Sequence, residues 1–131
     1  MTDLLDWSID RTVVPGYTRV GHALRKRWWA ADPAAGALVD THVLVTGATS
    51  GIGRATAVGL ARLGATVHAL GRDRDRTERA AKQVAGRVPG AQVEVEVCDV
   101  SDLRAVRTFA ADFTARVEKL HALVHNAGVM T

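Results

Sequence analysis

Apolar and polar positions change period several times between residue 41 and the end of the chain, and each change marks an element. His42–Thr46 is a short apolar run that reads as a first strand. Beyond it, Ile52, Ala55, Thr56, Gly59, Leu60 and Leu63 recur at three- and four-residue steps. That spacing predicts a helix over 52–63 with this face inward and Gly64 as its C-cap. Residues 66–70 predict a second strand. The polar turn Gly71-Arg72-Asp73-Arg74-Asp75 leads into a helix over about 76–86, and Pro89-Gly90 breaks the chain. Over 92–97, Val93, Val95 and Val97 alternate with Glu94 and Glu96. Such alternation predicts a strand exposed on one face, near a sheet edge. Ser101 is placed to cap a helix over about 102–118, with Leu103, Val106, Phe109 or Ala110, Phe113 and Val117 on its buried face. Residues 122–125 predict a fourth strand.

Strands alternating with helices predict an α/β fold with a parallel sheet. The order βαβαβαβ reads as the N-terminal half of a doubly wound Rossmann fold, strand order 3-2-1-4. Two regions are expected: a helical leader over 1–40 and the half-domain itself over 41–131, whose dinucleotide-binding character rests on its first turn.

The junction between the first strand and the first helix carries the chemistry. Residues 43–56 read Val-Leu-Val-Thr-Gly-Ala-Thr-Ser-Gly-Ile-Gly-Arg-Ala-Thr. Gly47 permits a tight turn, Gly51 lets backbone approach phosphates, and Gly53 lets the helix pack on the strand. The helix N-terminus then offers N–H groups and a positive dipole end to an anion. Ile52 lies in the same first turn, and Thr49 and Ser50 add hydroxyl donors. A dinucleotide pyrophosphate fits this arrangement; a Gly-rich turn with no ligand is the bland alternative. Ligands of such sheets bind at the carboxyl ends of the strands, where the order reverses beside strand one.

At 131 residues the chain fits one modest domain. Hydrophobic residues make up 47% and aromatics 5%, so the core is expected to be aliphatic. The only cysteine, Cys98, allows no internal disulfide and reads as a small packed hydrophobe. No metal-ligand spacing is present. The net charge of +3 falls in residues 41–131, which suits a phosphate-bearing ligand or simply solvated arginines; no nucleic-acid partner is expected. No apolar run reaches the length of a membrane span and no signal-peptide pattern opens the chain, so a cytoplasmic location is expected.

The leader holds all three tryptophans and the only tyrosine. Pro15-Gly16 divides it into two short amphipathic pieces, and Arg25-Lys26-Arg27-Trp28-Trp29 sets cations beside indoles. One reading is peripheral membrane contact. The other is that these pieces cover apolar surface of the core or of a second subunit. Five basic residues balanced by five acidic ones favour the second.

Thr46-Gly47-x-x-x-Gly51-x-Gly53 resembles the Thr-Gly-x-x-x-Gly-x-Gly motif of the short-chain dehydrogenase/reductase family, and residues 41–131 look like the N-terminal half of such an enzyme. Arg72, just after strand two, suits the 2′-phosphate of NADP; neighbouring Asp73 leaves NAD as an alternative. The resemblance implies that Asp99 and Val100 hydrogen-bond and pack on the adenine. It implies that Asn126, Ala127 and Gly128, which resemble the end of the Asn-Asn-Ala-Gly motif, brace the sheet and let backbone approach the cofactor. His125 stands where the family has the first Asn, a departure. A finer likeness, to the subgroup around dehydrogenase/reductase family member 12, rests on the leader and residues 67–73.

The resemblance implies an oxidoreductase that moves hydride between NADP(H) and a carbonyl or alcohol substrate, homo-oligomeric at full length. Its acid catalyst is a Tyr with a Lys four residues on, assisted by a Ser. Here Tyr17 is followed four residues later by Gly21, and Lys26, Lys82 and Lys119 are placed beside no tyrosine. The expectation is therefore a cofactor-binding half without a catalytic set and without turnover by itself. A non-catalytic dinucleotide-binding module or inactive truncated product is the rival reading. An extended relative of the epimerase type ranks last, because its Gly-x-x-Gly-x-x-Gly spacing does not match.

Overall fold

The computed structural model describes residues 22–23 and 26–128. Contacts divide the chain into Met1–Asp32 and Pro33–Thr131. In the first unit, a 3-10 turn at Lys26–Trp28 leaves Trp28 and Trp29 exposed. Lys26 pairs with Asp32 at 3.0 Å, and the His22 ring meets Trp29 edge-on. The two amphipathic pieces expected on either side of Pro15-Gly16 lie largely outside the described residues. Residues 33–40 go with the second unit, where the Leu38 N–H donates to the Leu63 carbonyl at 2.8 Å.

The second unit is a four-stranded parallel sheet in the order β3-β2-β1-β4. Along the chain the elements are β1 (His42–Thr46), α1 (Gly51–Arg62), β2 (Thr66–Gly71), α2 (Arg74–Arg87), β3 (Val93–Val97), α3 (Leu103–Arg116) and β4 (Ala122–Val124). Successive strand residues point to opposite faces. Val43, Val45, Val67 and Ala69 therefore face α1 and α2, meeting Ala57, Val58, Ala61 and Val84. Leu44 and Leu70 face the other way and pack with Cys98 and with Phe113 of α3.

Several expectations need correction. The inward stripe of α1 is Gly53, Ala57, Val58 and Ala61; of the predicted face, Leu60 packs half-buried against the core and Thr56 and Leu63 are half-buried, while Ile52, Ala55 and Gly59 are exposed. Small side chains let the helix lie close to the sheet, and Ile52 is left 79% exposed. Helix α2 starts two residues early, because the Asp73 carboxylate accepts from the Arg76 N–H at 2.8 Å and caps it. The cap of α3 is Asp102, which accepts from the Arg104 N–H, and not Ser101. Leu103 lies outside the buried face, 69% exposed, while Phe113 anchors it. Strand β3 lies at the edge as its alternation predicts, yet Glu96 is buried.

Candidate cofactor site

The strands are parallel, so the loops after β1, β2, β3 and β4 all leave the same edge of the sheet, and the strand order reverses between β1 and β4. The turn after β1 is tethered to β2, with the Gly47 and Ala48 N–H groups both donating to the Leu70 carbonyl (2.9 and 3.3 Å). Gly47 adopts φ +66° and Gly51 φ +52°, the left-handed region that L side chains rarely enter. Gly53 answers a different demand. A Cβ there would collide with the Gly47 carbonyl and the Asn126 amide. The start of α1 thus sits directly on the turn and on the segment after β4.

That close seat exposes the helix N-terminus. The first intrahelical bond is from the Arg54 N–H to the Ser50 carbonyl, 3.2 Å. The Gly51, Ile52 and Gly53 N–H groups have no helical acceptor. Ser50 caps by backbone geometry alone, and its hydroxyl makes no capping hydrogen bond among the described residues. Backbone donors, the helix dipole and the Ser50 hydroxyl are together available to an anion.

Asn126 and Thr46 lock β4 to β1. The Thr46 hydroxyl accepts from the Asn126 and Ala127 N–H groups, each at 3.0 Å, and donates to the Val124 carbonyl at 3.3 Å. The Asn126 amide donates to the Thr46 and Gly47 carbonyls at 3.1 and 3.3 Å. A Cβ on Gly128 would meet only open space, so a ligand can approach that backbone. Thr46, quoted above only as part of a motif, is the centre of this arrangement. A hydroxyl at the buried end of an apolar strand was the signal.

At the far side, the ends of β2 and β3 are joined by the Cys98 N–H donating to the Gly71 carbonyl at 3.0 Å. Arg72 follows, exposed. Asp73 is engaged as the cap of α2. Asp99 accepts the Ser101 hydroxyl at 2.7 Å and its N–H at 3.0 Å. These bonds, with the Arg72 charge, hold its carboxyl below the usual carboxylate range. Val100 is 44% exposed beside it. Gly71, which the sequence placed in a turn, ends β2: a Cβ there would press on the Thr77 hydroxyl and lie 2.7 Å from the Thr49 methyl group. Thr49 is held against β2 by that packing. Cys98 is buried; burial first, then the charges of Asp99 and Asp102, push its thiol up.

A doubly wound sheet with a glycine cradle at its reversal point defines a dinucleotide-binding class of α/β protein. The chain belongs to the short-chain dehydrogenase/reductase family: the family model described as short chain dehydrogenase matches residues 41–131. Mouse retinol dehydrogenase 11 is 45% identical over 87 residues, 66% of this chain and 28% of that protein. Mouse polyprenol dehydrogenase is 44% identical over 87 residues, 66% of this chain and 26% of that protein. The chain therefore spans little more than a quarter of these relatives. Among solved structures, a citronellol catabolism dehydrogenase of Pseudomonas aeruginosa PAO1 superposes with TM-score 0.69 at 36% identity, covering 76% of this chain and 41% of that one. A metagenomic short-chain oxidoreductase in complex with NADP gives TM-score 0.66 at 34% identity, covering 71% and 41%.

Proposed function

We propose that residues 41–131 form the NADP(H)-binding part of an oxidoreductase that moves hydride between the nicotinamide and a carbonyl or alcohol substrate. The observation that carries this reading is the seat of Gly53 on the Gly47 carbonyl and Asn126, which leaves the Gly51, Ile52 and Gly53 N–H groups open at the crevice. A pyrophosphate fits those donors with Thr49 and Ser50. Asp99 and Val100 flank the adenine end. Asn126, Ala127 and Gly128 line the nicotinamide side. When bound, the cofactor supplies or accepts hydride; the residues of this chain bind and orient it. None of them is a catalytic acid, and no turnover is expected from these 131 residues alone.

Arg72 supports NADP over NAD, because a guanidinium matches a phosphate and Asp73 is already used as a helix cap. Calorimetric titration of the 131-residue chain with NADPH and NADH tests the reading. NADPH is expected to bind about tenfold to a hundredfold tighter, the range of a charge-assisted contact. Arg72→Ala should remove that preference and leave NADH binding unchanged. Binding of neither nucleotide would overturn the proposal.

For the leader, the reading is that residues 1–40 cover apolar surface of the core or of a second subunit in a cytoplasmic protein. Exposed Trp28 and Trp29 favour a second reading, contact with a bilayer surface. No helix among the described residues is long and apolar enough to cross a membrane. Co-sedimentation with anionic vesicles separates the two. Binding by the chain that is lost in Trp28→Ser/Trp29→Ser supports surface contact, and its absence supports the first reading.

A further inference from the structure

The backbone that carries Arg72 is fixed on both sides. Before it, the Gly71 carbonyl accepts from the Cys98 N–H at 3.0 Å. After it, the Asp73 carbonyl accepts twice, from the Thr77 hydroxyl at 2.7 Å and from the Thr77 N–H at 3.1 Å. The Asp73 carboxylate takes the Arg76 N–H at 2.8 Å. Arg72 lies exposed between these two anchored neighbours.

A threonine hydroxyl bonded to the carbonyl four residues back is common in helices. Thr77 does more, because of what lies on its other side. It is fully buried, and its hydroxyl crowds the place that a Cβ on residue 71 would take. The methyl group of Thr49 presses on the same place from the turn after β1. Gly71 is thus gripped between Thr49, in the glycine cradle, and Thr77, in α2. The hydroxyl that grips Gly71 also holds the Asp73 carbonyl. One oxygen therefore sets both neighbours of Arg72, and with them the separation of Arg72 from the cradle. A guanidinium on a loose loop would lose freedom on meeting a phosphate, and that loss weakens the contact. Fixed flanks reduce the loss.

We propose that Thr77 is a positioning residue for the choice of cofactor. Being fully buried, it meets no part of the nucleotide and acts through Arg72 on the 2′-phosphate. The proposal rests on the NADP(H) reading given above.

Calorimetric titration of the 131-residue chain and its Thr77→Val and Thr77→Ser variants with NADPH and NADH tests it. Thr77→Val preserves the side-chain volume and the backbone bond to Asp73, and deletes the hydroxyl. It is expected to weaken NADPH binding about threefold to tenfold, the span of one neutral hydrogen bond, and to leave NADH unchanged. Thr77→Ser keeps the hydroxyl and should retain the wild-type ratio. In an Arg72→Ala background, Thr77→Val should no longer affect NADPH. A role confined to stability would lower both nucleotides alike and ignore Arg72. An unchanged ratio in Thr77→Val, or equal losses for both nucleotides, would overturn the proposal while the NADP(H) reading stands. A wild-type chain that favours neither nucleotide overturns both. Nitrogen relaxation of the wild-type chain without nucleotide depends on no variant. The Arg72 N–H is expected to show an order parameter of about 0.85, that of rigid backbone; a value under about 0.6 would also overturn the proposal.

Discussion

Single atoms decide the cofactor crevice. Adding a methyl group at Gly53 drives a Cβ into the Gly47 carbonyl and the Asn126 amide, both held by other bonds. Gly53→Ala should cost about 1–3 kcal/mol, the usual range for overpacking, and abolish NADPH binding. Urea unfolding and calorimetry read the two effects. Thr46→Val keeps the shape and removes the hydroxyl that serves Asn126, Ala127 and Val124. It leaves two N–H groups without their acceptor and is expected to destabilise by about 1–3 kcal/mol. At Asp99 the folded state favours the carboxylate, so the contribution is present above the ordinary carboxylate range and fades as pH falls through the lowered value. Ser101→Ala should move the Asp99 carboxyl titration, followed by carbon NMR, back upward.

Helix termini and helix faces follow different rules. The starts of α2 and α3 are each set by one short side chain, Asp73 and Asp102. Asp102→Ala removes the cap of α3 and should cost about 1 kcal/mol, whereas Ser101, bonded back to Asp99, does not cap and its loss should leave helix content unchanged in circular dichroism. The buried face of α1 is set by closeness to the sheet. Ala57 is fully buried against β1 and β2, so Ala57→Leu should destabilise by about 1–3 kcal/mol. Ile52→Ser, at a site 79% exposed, should leave chemical unfolding unchanged. The apolar period of α1 is legible but its phase is not. Ile52 looks like a core residue, yet it sits in the first turn beside the open N–H groups.

Across the whole molecule, two helices cover one face of the sheet and one covers the other, while β4 presents an edge unpaired among the described residues. Leu123 on that strand is 45% exposed. An exposed parallel edge with an apolar side chain is a template for association. The 131-residue chain is therefore expected to self-associate with rising concentration. Leu123→Lys should reduce this in analytical ultracentrifugation.

The succession of strands and helices, the parallel order and the position of the glycine cradle were all legible in residues 41–131. Each rests on local period, turn chemistry or the handedness of crossovers, which neighbouring residues carry by themselves. What the chain order hid are meetings between distant residues. Thr46 and Asn126 are 80 positions apart, yet one hydroxyl joins them. Glu96 reads as the solvent side of an alternating strand and is buried, because Arg116 and His68 reach it from another helix and another strand. Asp73 reads as a candidate ribose ligand and is taken by the first turn of α2. Local patterns state what an element is. Which of its faces is covered, and which of its polar atoms remain available, depend on what packs against it, and that is settled only when the elements meet.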